Sequence, residues 1–159
     1  MGSQSKTNLA YIAGFLDGDG SLMMQIKKRR DGKIGWRFMF TICFYQDSRH
    51  DKPLYWIKKV VNIGYISKRN DGMTELRING YTQVRDILKN LSPFIRFKKP
   101  QAEAILTASQ LLIKKSVNKL TIGDRKKLAH CMMTVQNNNY ITRNKKSSAD
   151  ILNILDLTP

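Results

Sequence analysis

The stretch Ile12-Ala13-Gly14-Phe15-Leu16-Asp17-Gly18-Asp19-Gly20 constrains this chain more than any other. From Asn8 to Leu16 the residues are helix-compatible and almost wholly apolar, which predicts a helix buried nearly all round. Ala10, Gly14 and Gly18 recur every fourth position and leave one face nearly free of side chains. Such a face admits a second helix to backbone contact, against a propensity cost of about 1 kcal/mol per glycine. Asp17 and Asp19 then fall at the helix C-terminus, where the macrodipole already presents partial negative charge. Two carboxylates placed there call for a cation.

Asp-Gly is also a strong turn dipeptide, so the acidic end taken alone reads equally well as a mere helix stop and turn into a strand. A calcium loop of the EF-hand kind is excluded: counted from Asp17, position 6 is Leu22 and position 12 is Lys28, where that loop needs Gly and Glu. With only His50 and His130 as histidines, and Cys43 and Cys131 without framework spacing, a metal here would be held by oxygen. That favours magnesium or a similar hard cation. The cysteine usage fits a reducing, intracellular compartment. The chain carries 28 Lys+Arg against 12 Asp+Glu, a net charge of +16, which points to a polyanionic partner. No apolar run approaches the roughly 20 residues needed to span a bilayer, so no membrane partner is expected.

In order, the chain reads as helices alternating with paired strands. Residues Ser21 to Arg29 alternate, with Leu22, Met24 and Ile26 on one face. A turn at 30–33 leads to Trp36–Gln46, where Trp36, Phe38, Phe40, Ile42 and Phe44 share a face. Asp51 and Pro53 open a helix with a Leu54, Ile57, Val61 stripe that closes near Gly64. A second hairpin joins Tyr65–Arg69 to Met73–Ile78 through Asn70-Asp71-Gly72. Helices are expected over Gly80–Leu91 and over 98–115, the latter with Ala102, Ile105, Leu106, Leu112 and Ile113 inward. A Thr121-capped helix, a loop from Asn137 to Ser148 and a short terminal helix follow. The expectation is an α+β fold of order αββαββα with extra C-terminal helices: a tail at 1–6, then a single domain over 7–159 with a four-stranded antiparallel sheet.

Helices on one face of such a sheet leave the other face to display Gln25, Lys27, Arg29, Arg37, Thr41, Ser67, Arg69, Glu75 and Arg77. This set mixes Arg and Lys with Gln, Thr, Ser and Glu, the groups that read base edges in the major groove of double-stranded DNA. Phosphate binding alone would need only cations, so the mixture argues for sequence readout. Arg143, Lys145 and Lys146, in the Asn-rich loop, are expected to contact the phosphate backbone.

The nonamer resembles the signature of the LAGLIDADG homing endonucleases, with Phe at its fourth position and Gly18 in place of the last Ala. The similarity extends to the αββαββα order, a Gln at the end of the second strand and a Pro-Phe-x-x-x-Lys stretch before a long helix, from about Leu9 to about Leu112. The chain looks like a single-motif member of the type encoded in group I introns. By that resemblance it acts as a homodimer whose motif helices pack through Ala10, Ala13, Gly14, Asp17 and Gly18. Asp19 is implied to bind the essential divalent metal with the Gly18 carbonyl as co-ligand, and Gln46 and Lys98 to act around the attacking water and the scissile phosphate. A further basic residue is implied near Gln46, for which Arg49 and His50 both stand available. The implied cofactor is Mg2+, with Mn2+ as substitute and Ca2+ supporting binding without cleavage. The rival reading is a protein that does not cut, either an intron-RNA maturase or a sequence-specific DNA binder. The Lys- and Asn-rich composition suits an AT-rich organellar genome, of a mitochondrion or a chloroplast.

Overall fold

In a computed structural model describing residues 5–139 and 145–157, helix α1 (Lys6–Asp19) starts where the Ser5 hydroxyl accepts the Asn8 amide at 3.2 Å. The helix thus begins within the tail expected over 1–6: Ser5 is already a cap and Lys6 already helical. It ends at Gly20, whose amide donates to the Leu16 carbonyl. A Cβ there would lie 2.6 Å from Leu16 Cδ1 and 2.7 Å from its Cα, so only glycine lets the chain leave the helix directly into a strand.

That strand, β1 (Gly20–Lys28), pairs with β2 (Trp36–Asp47), and β3 (Tyr65–Lys68) pairs with β4 (Met73–Asn79). The two hairpins join through β2 and β4 into one antiparallel sheet of order β1-β2-β4-β3. Strict alternation sends Leu22, Met24, Ile26, Phe38, Phe40, Ile42, Phe44, Leu76 and Ile78 to the same buried side. There they meet α1, α2 (Lys52–Val61), α3 (Tyr81–Leu91) and α4 (Lys99–Lys114). Helices α5 (Ile122–Asn138) and α6 (Ser148–Ile154) extend the same core with Leu128, Met132, Val135 and Ile151. Among the described residues, no helix is long and apolar enough to cross a membrane, and Cys43 and Cys131 are buried free thiols.

Several boundaries and faces differ from expectation for local reasons. Helix α2 stops at Val61 rather than near Gly64, because Asn62 turns left-handed at φ 56°. Gly64 then passes under β4 with φ 101°, where a Cβ would meet the Arg77 carbonyl at 2.9 Å. The inward line of α4 runs Ala102, Ile105, Ala108, Ser109, Leu112, which leaves Ile113 a step round the helix and 38% exposed. Helix α5 continues past Asn137, and the Asn138 side-chain amide donates back to the Thr134 carbonyl at 2.8 Å. Thr121 and Asp124 form a capping box at the start of α5, and Ser147 and Asp150 form another at α6.

Candidate active site and nucleic-acid interface

Two sides of α1 carry the motif. Ile12, Ala13 and Leu16 are fully buried in the chain's own core, and Asp17 is only 9% exposed. Ala10, Tyr11, Gly14, Gly18 and Asp19 face outward. A Cβ added at Gly14 or Gly18 would meet nothing within 4 Å, so the small-residue stripe is a bare, open strip of backbone. Two of the residues expected to pack between protomers are therefore corrected: Ala13 and Asp17 point inward and have no surface to offer a second helix. The exposed Tyr11 stands beside the stripe, in edge-to-face contact with Trp56 at 5.4 Å.

Asp17 spends its carboxylate on the segment before α4. Its two oxygens accept the backbone amides of Arg96 at 2.7 Å and Lys98 at 3.0 Å, and its carbonyl accepts the Lys98 ammonium at 2.5 Å. Half-buried Lys98 is thereby held against the end of α1. Burial pushes its ammonium below the ordinary lysine range, while Asp17 and Asp19 act in the opposite direction. Phe97, between the two anchored amides, is 81% exposed.

Around the tip of α1, Gly18, Asp19, Gly20, Tyr45, Gln46 and Met73 line a cleft of about 260 Å³. The fold thus brings Asp19 and Gln46, 27 residues apart in sequence, to one opening, with Lys98 close enough to feel the Asp19 charge. Asp19 is exposed and its carboxylate makes no hydrogen bond to the described residues. Gln46 Oε1 accepts the Asp47 amide at 2.9 Å. Arg49 is committed to Asp47 by hydrogen bonds of 3.0 and 2.6 Å, which hold that carboxyl far below the usual range. His50 is exposed. Among the described residues there is no cluster of three His, Cys, Asp or Glu side chains, and the cleft lining holds one carboxylate, Asp19, beside Gly18. A lone oxygen donor of this kind fits a hard cation whose remaining ligands come from elsewhere.

The sheet's second face carries every strand residue expected on it. Across it the register places Lys27 opposite Arg37, Tyr65 opposite Arg77 and Ser67 opposite Glu75. Arg29 and Arg69 lie just past strand ends, each ion-paired to a turn aspartate, Asp31 at 3.0 Å and Asp71 at 2.7 Å. Two of the expected readers are not free, however. Thr41 is 1% exposed and its hydroxyl donates to Asn79 Oδ1 at 2.7 Å. Glu75, also buried, accepts from Arg77 at 3.2 Å and lies 4.0 Å from Arg69, so it neutralises and spaces two arginines instead of facing outward. Met23, Met39 and Tyr45, which alternation already sets opposite the apolar face, share this second face, and Tyr65, Met73 and Asn79 join them there. Burial pushes the phenol of Tyr45 well above its ordinary range.

Lys145 and Lys146 are exposed, whereas Arg143 lies outside the described residues. The chain on either side of 140–144 is tied down: Asn139 Nδ2 donates to the Leu22 carbonyl on the edge strand β1 at 3.0 Å. Gln136 exchanges hydrogen bonds of 3.2 and 3.1 Å with the Lys146 backbone.

The family model described as LAGLIDADG endonuclease matches residues 12–102. The DNA endonuclease I-CvuI of Chlorella vulgaris is 33% identical over 97 residues, 61% of this chain and 60% of that one. The DNA endonuclease I-CreI of Chlamydomonas reinhardtii is 29% identical over 105 residues, 64% and 62% of the two chains. The chain thus aligns with about three fifths of the length of these relatives. The fold is shared more widely. A structure of I-CvuI in complex with its target in the presence of calcium superposes with a TM-score of 0.79 at 24% identity, covering 97% of this chain and 98% of that chain. The archaeal intron-encoded homing endonuclease I-Vdi141I complexed with DNA gives 0.79 at 22% identity, covering 96% and 97%.

Proposed function

Because the chain belongs to the LAGLIDADG endonuclease family, we propose that it is a site-specific, metal-dependent DNA endonuclease that works as a homodimer. The observation that carries this reading is the placement of Asp19: exposed, unbonded, in a cleft with Gln46, at the end of a bare helix stripe. Two α1 stripes packed together bring two copies of this cleft, and so two Asp19 carboxylates, side by side. The basic sheet faces of the two protomers then lie along one long pseudo-palindromic duplex. The single core running from α1 to α6 supports reading residues 7–159 as one domain.

In this reading Asp19 and the Gly18 carbonyl hold a divalent cation, magnesium or manganese. When bound, it polarises the scissile phosphate and lowers the pKa of water. Gln46 orients the attacking water by hydrogen bonding. Lys98, restrained beside the same helix end, faces the negative charge that grows on the phosphoryl oxygens. Water oxygen forms the new P–O bond, the ester P–O bond breaks, and the departing oxygen takes up a proton. One cut per strand gives a staggered double-strand break. Calcium, which prefers more ligands at longer distances, supports binding without cleavage. The Lys- and Asn-rich sequence favours an organellar gene, mitochondrial or chloroplast.

The test is Asp19→Asn. Target sites are recovered from random duplex DNA in calcium, then challenged with magnesium. The variant should bind the recovered site as the wild type does and lose roughly 100-fold or more in cleavage. Selective binding by the wild type with no cutting in magnesium or manganese would sink the nuclease reading and make intron RNA the next ligand to try.

A further inference from the structure

We infer that Asp17, the inward carboxylate of the motif, is a positioning residue that fixes Lys98 at the cleavage site. The inference rests on the reading of Lys98 given above. Three hydrogen bonds run from this one residue to a segment about 80 positions later, two to its backbone amides and one from its ammonium. Helix α1 has no basic residue in its own last turn, so the Lys98 ammonium supplies the cation that the negative end of the dipole lacks. The carboxylate holds the amides of residues 96 and 98 to the same side, which sets the backbone from which the Lys98 side chain departs. Asp19 leaves the same helix end outward. One helix end therefore anchors both groups: Asp19 covalently, and Lys98 through Asp17. The carboxylate accepts both backbone amides while the Asp17 carbonyl accepts the ammonium, and misplacement of a reacting group by about 1 Å can cost on the order of 100-fold in rate.

A four-way comparison of wild type, Asp17→Asn, Lys98→Met and the double variant tests this. For each, single-turnover cleavage in magnesium, target affinity in calcium and thermal unfolding are measured. Asn keeps the shape but offers one acceptor oxygen where two are used. Asp17→Asn should slow cleavage roughly 10- to 100-fold while target affinity stays within about twofold. In the Lys98→Met background the same substitution should add nothing, because the group it positions is gone. Equal losses in both backgrounds would mean that Asp17 merely supports the fold, and an unchanged rate in folded Asp17→Asn would overturn the proposal outright. If Lys98→Met cuts normally, the lysine's role and this proposal fall together, while wild-type cutting leaves the nuclease reading standing. Should Asp17→Asn not fold, Asp17→Ser, which retains an acceptor oxygen, takes its place in the same comparison.

Discussion

Gly14 lowers the helix propensity of α1, and nothing within the protomer needs it, since a side chain there would stand in open space. Gly14→Leu should therefore stabilise the isolated protomer by about 0.5–1 kcal/mol, the usual gain on replacing an exposed helical glycine. If the stripe is the seam between two copies, the same change should abolish association and cutting together. Thermal unfolding and sedimentation of one sample check both halves, and a dimer that survives this substitution would refute the seam. At this scale the sequence was only half legible. Spacing by four picks out Ala10, Gly14 and Gly18 as the bare face, whereas the family resemblance adds Ala13 and Asp17, which turn to the core. Between Leu9 and Leu16 the helix is almost wholly small or apolar, so little polar contrast marks which side meets the core. The Asp17 to Lys98 contact left no local trace either, being made across about 80 residues of chain.

Whole elements were easier to read. Alternation in 21–29 and 36–46 fixed the strands and their faces, because period 2 assigns each side chain to a side whatever its neighbours do. Alternation cannot say how tall those neighbours are. Thr41 and Glu75 lie on the expected face but are buried there and satisfied by Asn79 and Arg77. Helix caps carry their own prediction. Asp124 closes the capping box of α5, and its carboxyl falls from the ordinary 3.8 to about 2, held down by hydrogen bonds from the Lys115 ammonium and the Thr121 amide. A folded-state pKa lowered in this way gives stability that is fully present above pH 3.8 and fades as pH falls toward about 2. The stability difference between wild type and Asp124→Asn, followed by urea unfolding, should be constant near neutrality and close over that acid range. A gap that persists below about pH 2 would show that the carboxylate's charge is not what the cap uses.

For the molecule as a whole, a net charge of +16, with lysines and arginines along one sheet face and the flanking loop, should make the proposed DNA complex depend on salt. Each phosphate that a lysine neutralises contributes about 1 to the slope of log K against log salt. Replacing Lys145 or Lys146 by alanine should lower the slope by that amount and weaken all sequences alike. Gln25→Ala should instead leave the slope unchanged and alter which bases are preferred; titrations at several salt concentrations, on matched and mismatched duplexes, separate the two. The two aspartates of the motif also differ in what a gene can lose. Asp17 is tied into the fold, whereas no described side chain depends on Asp19 for a hydrogen bond. A single-base change turns an aspartate codon into one for asparagine. On the proposed function, a copy drifting without selection is silenced at Asp19 in one step while still folding, pairing and occupying its site. The same step taken backwards would restore a lineage that looks extinct.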